Sequence, residues 1–316
     1  MVDYIFNIIY RITPMGIKRR YIQRIMDDKA NWAIYHNLKI PGFGTNLVRF
    51  LFPIYSTKNP SNINSISTNN QDKVILYFNR FAHLFEEYFE LVKERIQIIS
   101  SQYPVDNNEG ELPCINNEFF GVLDAAVLQS MLKKNRPKNY IEIGSGISTK
   151  YARALIKEEK LDTKIIAIDP LPRVEIEKIC DTLIKAPLES SYAQLLASAE
   201  EGDIIFLDGS HYVFPHNDTV IFFFQILSNL PKGVIVHIHD IYLPSDYPAL
   251  VKSQLWAENY LLYAWILGGG QSIIPLFPTF YLSQKNAEIM NHLSTVKIMQ
   301  QTIQGTSGYS FWFKLA

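Results

Sequence analysis

The sequence predicts an α/β protein with a doubly wound, mostly parallel sheet and an N-terminal helical extension. From Tyr140 onward, short apolar runs alternate with helical segments: YIEIG, KIIAID, DTLIKA, DIIFLD and VIVHIHD. Buried strands that alternate with helices are typical of βαβ units and a parallel sheet. A glycine turn follows the first strand, and acidic residues end several of the others.

Composition and charge narrow the class of protein. The 316 residues are 47% hydrophobic and 19% charged, which is usual for a globular chain. With 30 basic and 31 acidic residues, the chain has no overall field to attract a polyanion, so we expect no nucleic-acid partner. Two cysteines, Cys114 and Cys180, form no disulfide framework and favour a cytoplasmic location. The apolar runs are shorter than the roughly 20 residues of a spanning helix, so we expect no transmembrane segment.

The sequence pattern predicts helices in the N-terminal third of the chain. A polar stretch at 56–71 is typical of a linker, and the apolar residues of 72–102 recur at steps of three and four, which predicts one long amphipathic helix. We therefore expect a helical extension or cap over 1–110 and a sheet-containing domain over 111–316. The first helices would pack on the core, lie on a membrane surface or form a homodimer contact.

A glycine turn links the first strand to a helix in YIEIGSGISTKYARALI, residues 140–156. Gly144 and Gly146 permit a sharp turn and the close approach of a ligand. Ser148 or Thr149 could cap the helix, whose N-terminus favours a polar or negatively charged group.

Three acidic residues strengthen the prediction of a ligand-binding site at this turn. Glu142 lies in the first strand, Asp169 ends the second and Asp208 ends the fourth. Acids at the carboxyl ends of neighbouring parallel strands converge on the crevice where open α/β sheets bind ligands, and Asp169 is placed to accept hydrogen bonds from a ribose. A nicotinamide enzyme would usually have a third glycine where Thr149 stands.

From Phe119 to the C-terminus the chain resembles the class I S-adenosylmethionine-dependent methyltransferases, in particular the group that includes macrocin O-methyltransferase and cephalosporin-hydroxylase-like proteins. The pieces that carry the resemblance are YIEIGSGIST, IIAIDP, FLDGSH, LPKGVIVHIHDIYLPSDYP and GYSFWFK. The resemblance implies a Rossmann-like, seven-stranded sheet whose reversed last strand would be GYSFWFK. It also implies S-adenosylmethionine as cofactor, with Glu142, Gly144, Ser145 and Gly146 at the methionine end and Asp169 at the ribose. From their positions after the strands, we expect Ser148, Thr149 and Asp208 to be cofactor-binding residues too.

Methyl transfer to a hydroxyl needs a base or a metal, because the acceptor must lose a proton. We expect His211 or His239 to be the base, with Asp240 orienting an imidazole or the acceptor. Side chains alternate along a strand, so His239 shares a face with His237, but that rule loosens where the strand ends. His237 and His216 are more typical of structural histidines.

Two further predictions concern metals and the acceptor. Asp208, His239 and Asp240, with His211 nearby, could bind a divalent ion, which we regard as an option and not as the expectation. Tyr242 and Tyr247 follow the fifth strand in a loop and could line an acceptor pocket, although aromatic residues in such stretches more often belong to the core.

The leading hypothesis is a methyltransferase that acts on a hydroxyl, or an amine, of a small-molecule or peptide natural product. One alternative is an NAD-dependent oxidoreductase on a similar sheet, for which the sequence offers no convincing Tyr and Lys pair. The other is a non-catalytic module that keeps the cofactor pocket. Fold alone does not fix the acceptor.

Overall fold

The structure, a computed structural model, describes residues 65–106, 112–117, 119–172, 175–252, 254–286, 291 and 308–316, with the backbone of two short strands at Leu38–Lys39 and Asn46–Leu47. The chain divides into two compact units, residues 1–65 with Tyr247–Trp256, and residues Ile66–Asp246 with Ala257–Ala316. In the smaller unit the two short strands pair antiparallel. The proposed dimer contact through the first helices lies outside the described residues.

The larger unit is built on a seven-stranded sheet, as predicted. Its strands are β1 Asn139–Ile143, β2 Lys164–Ile168, β3 Thr182–Ile184, β4 Ile204–Leu207, β5 Ile235–Ile238, β6 Ile273–Pro278 and β7 Phe311–Leu315. Their order across the sheet is β3, β2, β1, β4, β5, β7, β6. Strands β1 to β5 are parallel, and β7 runs antiparallel to both of its neighbours, which confirms the reversed last strand.

The described helices of this unit are α1 Thr68–Asn79, α2 Ala82–Gln102, α3 Val122–Asn135, α4 Ile147–Glu158, α5 Leu188–Ser198, α6 Asp218–Ile221, α8 Glu258–Leu267 and α9 Thr279–Lys285. A π-helical segment, Phe222–Ile226, continues α6, and the short α7, Ala249–Lys252, lies in the smaller unit. The chain enters the sheet at β1, runs to one edge and returns to β4. This reversal between β1 and β4 is the topological switch point, where the carboxyl ends of the strands open a crevice. Among the described helices, none has the length and apolar character that a membrane span requires.

The helix predicted over 72–102 is two helices. Phe81, between α1 and α2, has φ −112° and ψ 10°, and its N–H donates to the carbonyl of Phe78 at 2.9 Å. Tyr77 ties the last turn of α1 to the carbonyl oxygen of Gly270, 3.0 Å from its hydroxyl. The apolar residues keep their helical spacing through this break. Spacing alone could not reveal it, because a tightened turn and a hydrogen bond to a distant loop leave no mark on the sequence pattern. Both helices belong to the unit that holds the sheet, and the domain boundary near residue 110 stays a prediction.

A buried guanidinium joins α2, α3 and α4. Arg95 is fully buried and donates to the carboxylate of Glu158 at 2.7 and 2.8 Å and to the amide oxygen of Gln129 at 2.7 and 3.0 Å. The amide nitrogen of Gln129 donates in turn to the hydroxyl of Tyr103 and the carbonyl of Tyr151. Since every buried polar group here has a partner, the network locks the helices that precede and follow β1.

We expect Arg95→Ala to lower the free energy of unfolding by about 2–4 kcal/mol, because it removes the donor to the buried amide oxygen of Gln129 and to the carboxylate of Glu158 and opens space beneath α2. Lys134→Ala is the matched control, because it removes an ion pair on the surface between α3 and α2, with Glu87. This change should lower the free energy of unfolding by less than about 1 kcal/mol. Urea denaturation of both variants measures the difference. Equal losses would contradict the structural role given to the buried network.

Candidate functional site

The glycine turn after β1 lies against the end of β4. Gly144 has φ +77°, and a Cβ atom there would lie 1.9 Å from the carbonyl oxygen of Asp208. The N–H of Gly144 donates to Ile168 on β2, and the N–H of Asp208 donates to Ile143 on β1. The carboxyl ends of β2, β1 and β4 are therefore drawn together, and only glycine fits at position 144.

At Gly146, the next glycine, no neighbouring atom occupies the space that a side chain would fill. Gly146 precedes α4 in an extended conformation, and a Cβ built there would meet no atom within 4 Å. The sequence left open whether Ser148 or Thr149 supports this helix end. It is Thr149, whose hydroxyl oxygen accepts the N–H of Gly146 at 3.0 Å. A ligand could thus approach the turn at Gly146 without displacing a side chain.

Glu142 lies beneath this turn, fully buried in β1. Its carboxyl group accepts the hydroxyl groups of Ser148 and Thr149 from the first turn of α4 and, at 3.4 Å, that of Tyr140. Burial raises the pKa of Glu142 to about 8, despite these hydrogen bonds. At neutral pH Glu142 is therefore mainly protonated, and it supports the turn from inside the protein.

Asp169 follows β2 and closes the other side of the turn. One of its carboxylate oxygens accepts the N–H and the hydroxyl of Ser145, at 2.8 and 3.0 Å, and the other accepts the N–H of Leu171 at 2.8 Å. The residue is only half-buried, so part of it remains accessible.

Four residues singled out from the sequence meet at the ends of β4 and β5: Asp208, His211, His239 and Asp240. The Nε2 atom of His211 lies 3.7 Å from a carboxylate oxygen of Asp208 and 3.7 Å from one of Asp240. The Nδ1 atom of His239 lies 3.9 and 3.5 Å from oxygens of the same two carboxylates. Each imidazole thus turns one nitrogen toward the same pair of acids. We call these four residues the charge cluster.

Backbone strain accompanies this convergence. His211 has φ +66° and Asp240 has φ +56°, in the left-handed region that costs most non-glycine residues about 1–3 kcal/mol. The turn at Asp240 ends the alternation of β5, which explains why His239 and Asp240 face the same cluster although they are adjacent in sequence. Strain of this kind is concentrated at functional sites.

Sequence reasoning missed Glu258, which belongs to the first turn of α8. Its side chain is 1% exposed, and a carboxylate oxygen lies 2.6 Å from Nδ1 of His211. The N–H of Ala257, one residue earlier, donates to the carbonyl of His211 at 2.8 Å. An acid in a first helical turn usually serves the helix itself, so its position carried no sign of the distant histidine.

Asp124, in the first turn of α3, was also missed. Its carboxylate accepts the N–H groups of Tyr309 and Ser310, at 2.9 and 3.0 Å, before β7. It also lies 3.5 Å from Nε2 of His239, an ion-pair distance that is longer than a good hydrogen bond. One acid in the otherwise apolar run VLDAAVL was the signal that could have identified it.

These acids control the protonation of the imidazoles. Burial lowers the pKa of His211, but the negative charge of Glu258 and then of the cluster acids outweighs it and raises the pKa to about 9. Burial likewise opposes the charge on His239, whose pKa is nevertheless well above the usual value because of Asp240. Burial alone would raise the pKa of Asp240, yet the two imidazoles hold it below its ordinary value. Burial also raises the pKa of Glu258 to about 7, although the charge of His211 opposes that shift. At neutral pH the cluster therefore contains imidazolium ions beside carboxylates, and Glu258 lies close to its own titration.

Two histidines lie apart from the cluster. His237 is fully buried in β5, where its ring stacks between Phe206 and Trp312 at 4.0 and 3.9 Å and contacts the hydroxyl of Ser310. Burial lowers its pKa well below the usual value, so it is a neutral core residue. His216 is exposed.

The two tyrosines proposed for the acceptor fall in different units. Tyr242 is buried beside Asp240, with its ring 4.7 Å from Tyr309 and 5.3 Å from Phe280. Tyr247 belongs to the smaller unit, where its ring meets Trp256 edge-on at 6.5 Å.

Among the described residues, Asp208, His211 and Asp240 have ligand atoms within 4.8 Å of one another, close enough to hold a metal ion. His211 takes the place that the sequence gave to His239, although His239 faces the same acids. Carboxylate and imidazole donors suit a divalent cation, so the residues fit such an ion.

Comparison with known proteins gives one family. Residues 141–241 match the family model described as a methyltransferase domain. No curated protein sequence matches the chain significantly.

Solved structures resemble the chain at low identity. A methyltransferase from Podospora anserina, bound to S-adenosylhomocysteine, is 14% identical, covers 80% of this chain and 98% of its own, and has a TM-score of 0.40. The O-methyltransferase TomG from Streptomyces achromogenes is 12% identical over 73% and 99% of the two chains, also with a TM-score of 0.40. An O-methyltransferase from Bacillus cereus is 13% identical over 81% and 96%, with a TM-score of 0.37.

The two glycines of the turn should respond differently to the same change. Gly144→Ala forces a Cβ against the backbone of Asp208 at positive φ, so we expect it to lower the free energy of unfolding by about 2 kcal/mol or more. Gly146→Ala meets no atom in the protein and should unfold like the parent chain. Thermal unfolding by circular dichroism compares the two. A stable Gly144→Ala variant would show that the contact with β4 is not tight.

Proposed function

We propose, from the premise that residues 141–241 form a class I S-adenosylmethionine-dependent methyltransferase domain, that this chain methylates a hydroxyl group of a small-molecule or peptide acceptor. The observation that carries the proposal is the charge cluster at the ends of β4 and β5, next to the glycine turn. Imidazoles held against carboxylates can remove a hydroxyl proton.

The residues around the glycine turn fit the cofactor. The bare backbone at Gly146, with Ser145, would hold the methionine end, and the half-buried carboxylate of Asp169 would accept hydrogen bonds from the ribose. Glu142 is fully buried, so its part is to hold Ser148 and Thr149 in place under the turn. Asp208 contributes through its backbone, which Gly144 touches.

His211 is the proposed base, because it is less deeply buried than His239 and is fixed by a carboxylate on its far nitrogen. S-adenosylmethionine supplies a methyl group on a positively charged sulfur. A positive sulfur bound near His211 would disfavour the protonated imidazole and would lower its pKa from about 9. Nε2 of His211 would take the hydroxyl proton as the acceptor oxygen gains the methyl group and the bond from that carbon to sulfur breaks, which would leave S-adenosylhomocysteine and a protonated imidazole. His239 stays charged and keeps Asp240 oriented.

A divalent ion could also lie in the cluster. Asp208, His211 and Asp240 would hold it, and it would lower the pKa of an acceptor hydroxyl bound to it. Assays with EDTA and with added Mg²⁺ or Mn²⁺ distinguish this route from proton transfer to the imidazole alone.

The acceptor would lie beside the aromatic residues that come after β5. Tyr242, Phe280 and Tyr309 form a group of rings next to Asp240, and aromatic faces bind sugars and planar groups well. The role proposed for Tyr247 stays a prediction.

Cofactor binding can be tested without knowing the acceptor. We expect calorimetric titration to show binding of S-adenosylhomocysteine and not of NAD⁺ or NADH, and we expect Asp169→Ala to abolish that binding by removing the ribose acceptor. Asp162→Ala, an exposed acid just before β2, is the matched control and should bind like the parent chain. Binding of a nicotinamide cofactor instead would overturn the proposal.

Turnover tests the base. Against a panel of phenols, sugars and hydroxylated peptides, we expect His211→Asn to lower kcat by about 100-fold or more with S-adenosylhomocysteine affinity unchanged. His216→Asn, an exposed histidine in the same loop, should retain parental kcat.

Only the neutral imidazole accepts a proton, and Glu258, Asp240 and Asp208 all stabilise the charged one. In the parent enzyme kcat/KM should therefore rise with pH through neutrality and level off near pH 9, and kcat should level off at a lower pH. A flat pH profile, or full activity of His211→Asn, would show that another group is the base.

A further inference from the structure

The first turn of α8 meets both loops that carry the charge cluster. Glu258 contacts His211 in the loop after β4, at 2.6 Å. Asn259, the next residue, accepts the N–H of Tyr242 at 3.0 Å and donates to the carbonyl of Ser245 at 3.2 Å, both in the loop after β5. Both side chains are essentially excluded from solvent. The first turn of α8 is therefore bonded to both loops at once.

His211 is held at two points. Its carbonyl accepts the N–H of Ala257, and its Nδ1 atom meets the carboxylate of Glu258. With Nδ1 engaged, the ring can turn only Nε2 toward Asp208 and Asp240, as the structure shows. The left-handed backbone of His211, at φ +66°, is maintained by these contacts.

We propose that Glu258 is a positioning residue for the reaction, which fixes the ring of His211 and keeps a proton on Nδ1 so that Nε2 faces the acceptor. A carboxylate can only accept a hydrogen bond, so it selects the Nδ1–H form of the imidazole. The inference rests on the proposed function, since it matters for turnover only if His211 is the base. Glu258 would act on the reaction only through the imidazole of His211.

The decisive variant is Glu258→Gln, which keeps the size of the side chain and its capacity for hydrogen bonding. A glutamine can turn its amide N–H₂ toward Nδ1, which moves the imidazole proton to Nε2 and blocks proton uptake there. A merely structural contact would survive this change.

The experiment has two readouts. In the parent chain, labelled with ¹⁵N-histidine, we expect a strongly downfield proton on Nδ1 of His211, assigned by its loss in His211→Asn. Glu258→Gln should lose that signal and lower kcat by about 100-fold or more, while KM for S-adenosylmethionine and the affinity for S-adenosylhomocysteine stay unchanged. Glu189→Gln is the matched control, the same change in the first turn of α5, and should keep both signal and kcat.

The outcomes separate the two hypotheses. Full kcat in Glu258→Gln, or the absence of the downfield signal from the parent chain, overturns the positioning role. If the parent chain binds the cofactor but methylates no acceptor, the proposed function fails, and loss of the signal in Glu258→Gln still shows that Glu258 holds His211. Equal losses of kcat and cofactor affinity in Glu258→Gln would indicate a structural role and would also overturn the inference.

Discussion

The site depends on the contact between the backbone of Gly144 and the carbonyl group of Asp208. Here the sheet reverses its direction of growth, and β1 and β4 must end side by side. Any side chain at position 144 would collide with β4, so the two strand ends approach as closely as backbones can. That contact puts the turn proposed to bind the cofactor within reach of the proposed base, with no long loop to order.

The positive and negative groups of the charge cluster stabilise one another. Burying one imidazolium or one carboxylate alone would be costly, and each would change its protonation instead. Here the two imidazoles share the carboxylates of Asp208 and Asp240, and each has a further acid on its other nitrogen, Glu258 for one ring and Asp124 for the other. The titrations of these groups are therefore coupled, and their apparent pKa values belong to the cluster and not to any single residue.

Local patterns predicted the residues that lie directly after a strand. Asp169, Asp208 and Asp240 were identified because the carboxyl ends of parallel strands meet at one edge, and the reversed last strand was implied by the family resemblance. Glu258 was invisible because it reaches its histidine from a helix 47 residues away along the chain. The break before Ala82 was missed because apolar spacing continues through it. Sequence patterns report which face of an element is buried, and they are silent on the groups that meet it across the core.

Two helix N-termini add a positive electrostatic potential next to the acids that contact the histidines of the cluster. Glu258 and Asp124 both lie in the first turn of a helix, where unpaired N–H groups create a positive potential. A carboxylate there is stabilised by the helix as well as by its imidazole. Burial nevertheless raises the pKa of Glu258 to about 7, so the N-terminus of α8 offsets only part of the cost of this buried charge when His211 is neutral. The helix dipole thus lowers the cost of the neutral imidazole that proton transfer requires, while the same first turn fixes the ring in place.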